Sequence, residues 1–426
     1  MINSNVSGPD FDTPRIAMIQ DGARLRYAVP LVLERAGILD RAFIDWFVRN
    51  GSIEQGISRL IRRLQPTLGR RMAERTCPEL PDSRVIRNPS MVLRLHLGMR
   101  KFPHGEDAYI WASRETAKWI IRKGFGNSNI LHGFIRNAAP EAYRAAKSLG
   151  LKTSGDQIIA PLEVELAEMK RQIKEFPDWK TREGINVHEQ YLDFERQTWQ
   201  TLDAITCASD YVRDGLVSVG ISPERITVAP YPWVAPAGES IERIKKSGPL
   251  TVGFVGGVGL RKGAPWFLET AKRFNSDKIR FIMVGLVLLD HARLEALSDR
   301  VQFVGAVPHS QIASWLAKFD VFFFPSTCEG SAGAVLEAMG AALPIITTPN
   351  SGSRVRDGIE GFVRPYEDID GFEQAIRRFD DDRDLLLAMG NAARERVRAN
   401  NLEAYQADLA QFFQKLVQVK TAGLVG

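Results

Sequence analysis

A chain of 426 residues, 44% hydrophobic and 25% charged, has enough apolar content for two separate cores, which excludes an intrinsically disordered protein. The formal net charge is +5, and the three cysteines, Cys77, Cys207 and Cys328, are far apart and odd in number, which argues against a disulfide framework and a zinc site. The longest apolar run, Phe281 to Leu289, ends at Asp290, well short of a membrane span, and the N-terminal residues lack a basic-then-apolar leader, so a cytoplasmic protein is expected.

In chain order, Arg15 to Gln20 reads as a first strand, followed by a turn at Gly22 and a helical pattern through Tyr27, Leu31, Leu33 and Ala36. The glycine suits a plain strand-to-helix turn. From Arg59 to Lys101 there are eleven basic side chains against three acidic ones, an excess of eight that exceeds the net charge of the whole chain. Interleaved Leu60, Ile61, Leu64, Leu68 and Met72 give the first part of that stretch an amphipathic helical period. Two readings stay open for residues 59–101: a basic face in peripheral contact with anionic lipid, or a solvated face over an ordinary core stripe. No nucleic-acid partner is expected, because no aromatic platform or known motif accompanies the charge.

Lys123 to Phe134 reads as a turn feeding a short strand that ends at His132, and Asp156 to Trp179 as one long charged helix. Beyond an acidic helix containing Glu195 come a strand at Ala204 to Ala208, a helix capped by Ser209 and a strand at Ile226 to Ala229. Pro230 to Pro236, with the polar stretch that follows, marks a hinge, so the expected units are residues 1–237 and 238–400, with an amphipathic helix in 401–426. In the second unit, Phe254 to Gly263 is a strand-to-helix loop holding Gly256, Gly257, Gly259 and Gly263. It fits neither a dinucleotide fingerprint nor a P-loop, and its content is the cation pair Arg261 and Lys262 at the start of a helix.

The most informative stretch is VFFFPSTCEGSAGAVLEAMG, Val321 to Gly340: an apolar strand, a small-residue loop, and a helix that stops before Pro344. A run of four apolar residues between turn signals fits a strand buried on both faces. With Ile345 to Thr348 as the next strand it forms a βαβ unit, whose ligands sit where strand C-terminal ends meet helix N-termini. Glu329 in the loop and Glu337 in the helix, eight residues on, can lie up to roughly 12 Å apart, the span of a sugar diphosphate plus ribose and too long for a carboxylate dyad sharing a proton. They should hold different parts of one ligand.

This spacing, with FVGGVGLRKG before it and GAALPIIT and SGSRVRDGIEGFVRP after it, resembles the E-x7-E pattern of the retaining family 4 glycosyltransferases. The resemblance covers most of the C-terminal half. It implies an α/β protein of the GT-B fold, two Rossmann-like doubly wound domains facing a central cleft, with the terminal helix crossing back toward the first domain. It further implies a nucleotide-sugar donor, a glycan or lipid-linked acceptor in polysaccharide biosynthesis, and no cofactor or metal. Carried over by position, Glu329 meets the donor sugar and reacting centre, Glu337 the ribose diol, and Lys262 the diphosphate. The family's other cation falls on Gly257, and Arg261 is the expected replacement. Gly22 and the helix mouth at Gly330, Ser331 and Ala332 would offer backbone N–H groups to the diphosphate, and Val307 would meet the base through its backbone. His132 takes the first position of a D-x-x-H-x-H pattern, but Phe134 stands at the second, so His132 is a candidate catalytic group in a shifted register or a core histidine. His309 and Asp320 have structural explanations. The departures at Gly257 and Phe134 keep two alternatives in view: a non-catalytic binder of nucleotide sugars, or another GT-B chemistry such as epimerisation.

Overall fold

The computed structural model describes residues 13–20, 22–102, 105–179, 181, 183, 189–235, 243–244, 248–275, 277–290 and 294–418. The leader expectation, most of the polar stretch after Pro236 and the end of the chain lie outside the described residues.

Two parallel sheets carry the fold. Strands β1 (Ile16–Gln20), β2 (Leu39–Ile44), β3 (Val85–Arg87), β4 (Ile130–Phe134), β5 (Lys152–Gln157), β6 (Ala204–Cys207) and β7 (Ile226–Val228) form the first, in the order 3-2-1-4-5-6-7 among the described residues. Strands β8 (Leu250–Val255), β9 (Ile279–Val284), β10 (Val301–Gly305), β11 (Val321–Phe324), β12 (Ile345–Thr347) and β13 (Gly361–Val363) form the second, in the order 10-9-8-11-12-13. Both are doubly wound, Rossmann-like sheets, as the family resemblance implies. In such sheets the strand order reverses at one point, and a crevice opens there beyond the strand ends. The reversals fall between β1 and β4 in the first sheet and between β8 and β11 in the second.

The second sheet is apolar because helices cover both its faces. All four residues of β11 are fully buried, with Phe323 tilted against Phe372 at 4.8 Å between ring centres and stacked on Phe267 at 5.1 Å. Each such side chain contributes on the order of 1.5–3 kcal/mol of burial.

The first sheet departs from expectation at β5. Lys152–Gln157 reads KTSGDQ, and the long helix expected from Asp156 is instead the end of this strand followed by a shorter helix, Leu162–Glu175. Every polar side chain of β5 from Thr153 onward finds a partner inside: Thr153 Oγ1 donates to Thr201 O at 2.7 Å, Ser154 Oγ pairs with His132 Nδ1 at 2.9 Å, and Asp156 Oδ1 accepts from Tyr231 OH at 2.8 Å. Gln157 accepts from Trp199 Nε1 at 3.0 Å and donates to Glu195 Oε1 at 3.0 Å. A satisfied polar strand costs little to bury, and it carries no apolar alternation to reveal it.

The sheets are joined by more than the linker. Helix Leu402–Gln418 lays Tyr405, Leu409, Phe412, Phe413 and Leu416 into the core of the first sheet, beside helix Ala28–Arg35. In return, Met169 and Trp179 of the first half pack into the core of the second sheet. No described helix is long and apolar enough to cross a membrane.

Candidate active site

The loops after β8 and β11 meet at the reversal of the second sheet. Lys262 Nζ donates to Glu329 Oε1 at 2.7 Å and Arg261 NH1 to the same oxygen at 3.0 Å, while Arg261 NH1 also reaches Cys328 O at 2.9 Å. Adjacent side chains thus converge on one carboxylate. The turn that permits this needs Gly263, at φ 71°, where a Cβ would lie 1.7 Å from Pro325 O. Lys262 Nζ also stands 5.2 Å from the centre of the Phe324 ring, over its face. Burial lowers the affinity of the Arg261 guanidinium for its proton, but Glu329 and Glu165, whose Oε1 is 3.9 Å away, together raise it above its ordinary value. Cys328 is no thiolate, since burial pushes it up to about 12.

Glu329 is nearly buried, at 9% exposure, and its N–H donates to Asn350 O at 2.9 Å, fixing the loop against the segment after β12. Helix Gly333–Gly340 follows, so Glu329 precedes its first turn and Glu337 lies on its second. The two carboxylates have different surroundings. Glu337 Oε1 is 2.9 Å from His309 Nε2, and both line a cavity of about 540 Å³ between the sheets. Its walls are mostly apolar, with Leu336, Ile312 and Leu316 from the second half, Trp233 from the linker and Leu25 from the first half, and Arg26 and Ser331 are among the polar groups.

Several candidate residues sit elsewhere than expected. His132 is fully buried, its ring edge-on to Phe413 at 5.2 Å, Nδ1 on Ser154 and Nε2 without a partner among the described residues; burial holds it down to about 3. It faces the core under helix Leu402–Gln418, so the structure removes it from the cleft. Gly22 adopts φ 62°, but its N–H donates to Asp45 Oδ1 at 3.1 Å, which leaves the turn to Asp45 rather than to an anion. The Ala332 N–H is likewise taken, by Ser351 O at 3.1 Å. Gly257 lies beside the loop after β9, with Leu288 Cδ1 3.2 Å from where its Cβ would be, and Val307 packs on the second core. Gly330 is wedged between halves: its O accepts from Ser209 Oγ at 2.5 Å, and a Cβ would meet Ile158 O at 1.7 Å. Asp320 Oδ2 accepts from Thr251 N at 2.9 Å, a structural role. His309, set aside on sequence, is beside Glu337.

The structure also brings forward groups that sequence reasoning passed over. Leu25, Arg26 and Tyr27 are consecutive non-glycine residues at φ 49°, 51° and 63°, a left-handed run that costs roughly 1–2 kcal/mol per residue. Tyr27 anchors it, edge-on to Phe47 at 5.2 Å with its hydroxyl donating to Trp46 O at 3.3 Å, and the run turns Leu25 and Arg26 into the cavity. Glu183, beyond Trp179, seats its carboxylate on the glycine loop, accepting from Leu260 N at 2.5 Å and Arg261 N at 3.4 Å. No composition signal marks either. Among the described residues, no group of three or more His, Cys, Asp or Glu side chains is placed to hold a metal ion.

Residues 249–382, the second sheet with both loops of this cluster, match the family model described as Glycosyl transferases group 1. Over the whole chain, the structure aligns with sucrose-phosphate synthase from Thermosynechococcus elongatus at a TM-score of 0.62 and 17% identity, covering 96% of this chain and 100% of that one. The fold is GT-B. Anabaena HepE, solved in complex with UDP and glucose, aligns at 0.57 with 12% identity over 94% of this chain and 100% of its own. Among curated relatives, the putative colanic acid biosynthesis glycosyltransferase WcaL of Salmonella typhimurium is 26% identical over 251 residues, 54% of this chain and 61% of that protein. The UDP-Gal:alpha-D-GlcNAc-diphosphoundecaprenol alpha-1,3-galactosyltransferase of Escherichia coli is 28% identical over 203 residues, 43% of this chain and 52% of that protein. The chain therefore spans about half to three-fifths of the length of these curated relatives.

Proposed function

We propose that the chain is a retaining glycosyltransferase of the cytoplasm that moves a sugar from a nucleotide donor to a glycan or lipid-linked acceptor, in polysaccharide assembly. The observation that carries this reading is the convergence of Lys262 and Arg261 on Glu329 at the strand-order reversal, with Glu337 in the wall of the adjoining cavity. The names of the relatives support the setting: one concerns colanic acid biosynthesis, another a galactosyl transfer onto a diphosphoundecaprenol-linked sugar.

In this reading the bond from sugar C1 to the diphosphate oxygen breaks and its electron pair leaves with the diphosphate. The acceptor oxygen bonds to C1 from the same face, and its proton passes to the departing phosphate oxygen. Negative charge develops on the leaving group, so cations already fixed beside it stabilise the transition state without reorganising. Lys262 and Arg261 supply that charge, which is why the reading does not call on a metal. Glu329 accepts hydrogen bonds from the donor sugar, and Glu337, beside His309, grips the ribose diol as a carboxylate can.

The test begins with thermal shifts against UDP-, GDP- and ADP-sugars, since a ligand of the folded state raises its melting temperature by mass action. Donor consumption and the anomeric configuration of the product are then followed with and without EDTA, for wild type and Glu329→Gln. Transfer with retention, insensitive to EDTA and lost in the variant, is expected. Equal rates for the two proteins would take Glu329 out of the chemistry.

A further inference from the structure

Helix Ile53–Leu64 is built inside out. Its start is ordinary, with Ser52 Oγ accepting from Gln55 N at 3.3 Å. The residues it turns toward the protein are polar: Glu54 is 2% exposed and Ser58 fully buried. Arg87 Nε holds Glu54 at 3.4 Å, and Ser58 Oγ donates to Glu54 O at 2.7 Å. Among the residues it turns to solvent is an apolar stripe. Ile53, Ile57, Leu60 and Leu64, at i, i+4, i+7 and i+11, are 72%, 37%, 59% and 79% exposed, and Leu68 on helix Pro66–Ala73 adds a fifth at 43%. The two helices meet so closely that a Cβ on Gly69 would lie 2.3 Å from Arg62 Cα, so the stripe and Leu68 belong to one rigid hairpin.

The exposed charges within residues 53–73 are of one sign. Nine of the eleven basic side chains of residues 59–101 fall into two groups. Arg75, Arg84, Arg87 and Arg94 are tied to Asp45, Glu34, Glu54 and Glu115 and belong to the fold. Arg59, Arg62, Arg63, Arg70 and Arg71 are exposed on the hairpin, and among the described residues none of the five pairs with a carboxylate. A soluble protein rarely spends helix-forming leucines on solvent while burying serine and glutamate. An apolar stripe bordered by unpaired arginines is what a helix lying in the plane of an anionic bilayer needs: side chains for the acyl boundary and guanidinium groups for lipid phosphates.

We propose that the hairpin 53–73 is a membrane-docking element that seats the protein on an anionic lipid surface. The same hairpin is coupled to the cleft. Arg75, just beyond it, donates to Asp45 Oδ2 at 2.8 Å, and Asp45 Oδ1 accepts from the Gly22 N–H at the edge of the cavity loop. Docking therefore holds the first-half wall of the cleft toward the bilayer, where a lipid-linked acceptor would arrive. The proposal stands apart from the glycosyl-transfer reading, because it concerns where the protein sits and is tested without turnover.

The experiment is co-sedimentation of the full chain with phosphatidylcholine vesicles, with and without a third of phosphatidylglycerol. Binding is expected to the anionic vesicles alone and to weaken as salt screens the guanidinium groups. Leu60→Ser with Leu64→Ser, and separately Arg59→Gln with Arg63→Gln, should each lower the apparent affinity at least tenfold. Their melting curves should match wild type, because all four side chains are exposed. A wild-type protein that stays in the supernatant with anionic vesicles overturns the proposal, as does leucine-variant binding equal to wild type. So does a concentration-dependent dimer abolished by the leucine pair in a protein that ignores vesicles, which would make the face a contact between copies of the chain.

Discussion

Lys262 and Glu329 are 67 positions apart in the chain and 2.7 Å apart in the fold, joined Nζ to Oε1 where the second sheet reverses its strand order. Arg261 reaches the same oxygen, so the three side chains form one unit. Lys262→Ala is expected to lower kcat by roughly 10²–10³, the usual cost of removing one fixed stabiliser of developing charge. Groups acting as a unit are not additive, so Arg261→Ala with Lys262→Ala should cost less than the product of the single losses. Steady-state donor turnover decides this, and multiplicative losses would mean that the cations serve separate groups.

Glu337 and His309 should behave differently, because they line the cavity and not the cluster around Glu329. Glu337→Gln removes a charged acceptor, worth about 1.5 kcal/mol or more, and should raise the donor KM roughly tenfold with kcat little changed. His309→Ala should act in the same direction and less strongly. A fall in kcat at constant KM would instead place Glu337 in the transition state.

Two glycines beside this cleft make a matched pair. Gly330→Ala would drive a Cβ to 1.7 Å from Ile158 O, backbone that cannot step aside. The expected result is a destabilisation of about 1–3 kcal/mol, with lost turnover as the halves are wedged apart. Gly333→Ala, three residues on at the helix start, has nothing within 4 Å of the new methyl and should melt at or slightly above the wild-type temperature. Calorimetry of both variants checks the pair, and equal melting temperatures would show that the halves yield at Ile158.

Buried Asp156 and His132 should tilt the pH dependence of stability in opposite directions. Burial pushes Asp156 up to about 7, against the pull of Tyr231 and Arg24. Between about pH 4 and 7 the unfolded chain has lost a proton that the folded one keeps, so this carboxyl makes stability fall as pH rises through that window. Burial holds His132 down to about 3. From about pH 6.5 down to 3 the unfolded chain binds a proton that the folded one refuses, so this group makes stability fall as pH drops. Melting temperatures from pH 4 to 8 should therefore show Asp156→Asn gaining on wild type as pH rises, and His132→Leu gaining as it drops. Three parallel curves would contradict both assignments.

The apolar block of β11, the glycine loop with Arg261 and Lys262, and the paired glutamates were all legible in the linear chain. Each is a local pattern: a run of phenylalanines between turn residues, charge at a helix start, a fixed spacing on one element. The strand β5 was not legible, because Thr153, Ser154, Asp156 and Gln157 are buried by virtue of partners as distant as Trp199 and Tyr231. His132 was left open between cleft and core for the same reason. A histidine at a strand end looks the same on paper whether it faces a cleft or, as here, Phe413 from the last helix.

Apolar runs between turn residues determined single elements and the βαβ unit around β11, since that periodicity acts over neighbouring residues, and the resemblance carried by those motifs implied the two doubly wound sheets. Folding had to settle which polar atoms meet. Lys262 and Arg261 share one oxygen of Glu329, Asp45 takes the Gly22 amide, and three left-handed residues turn Arg26 into the cavity. Those contacts join segments tens of residues apart, and an electrostatic or hydrogen-bonded partner is chosen by distance in space.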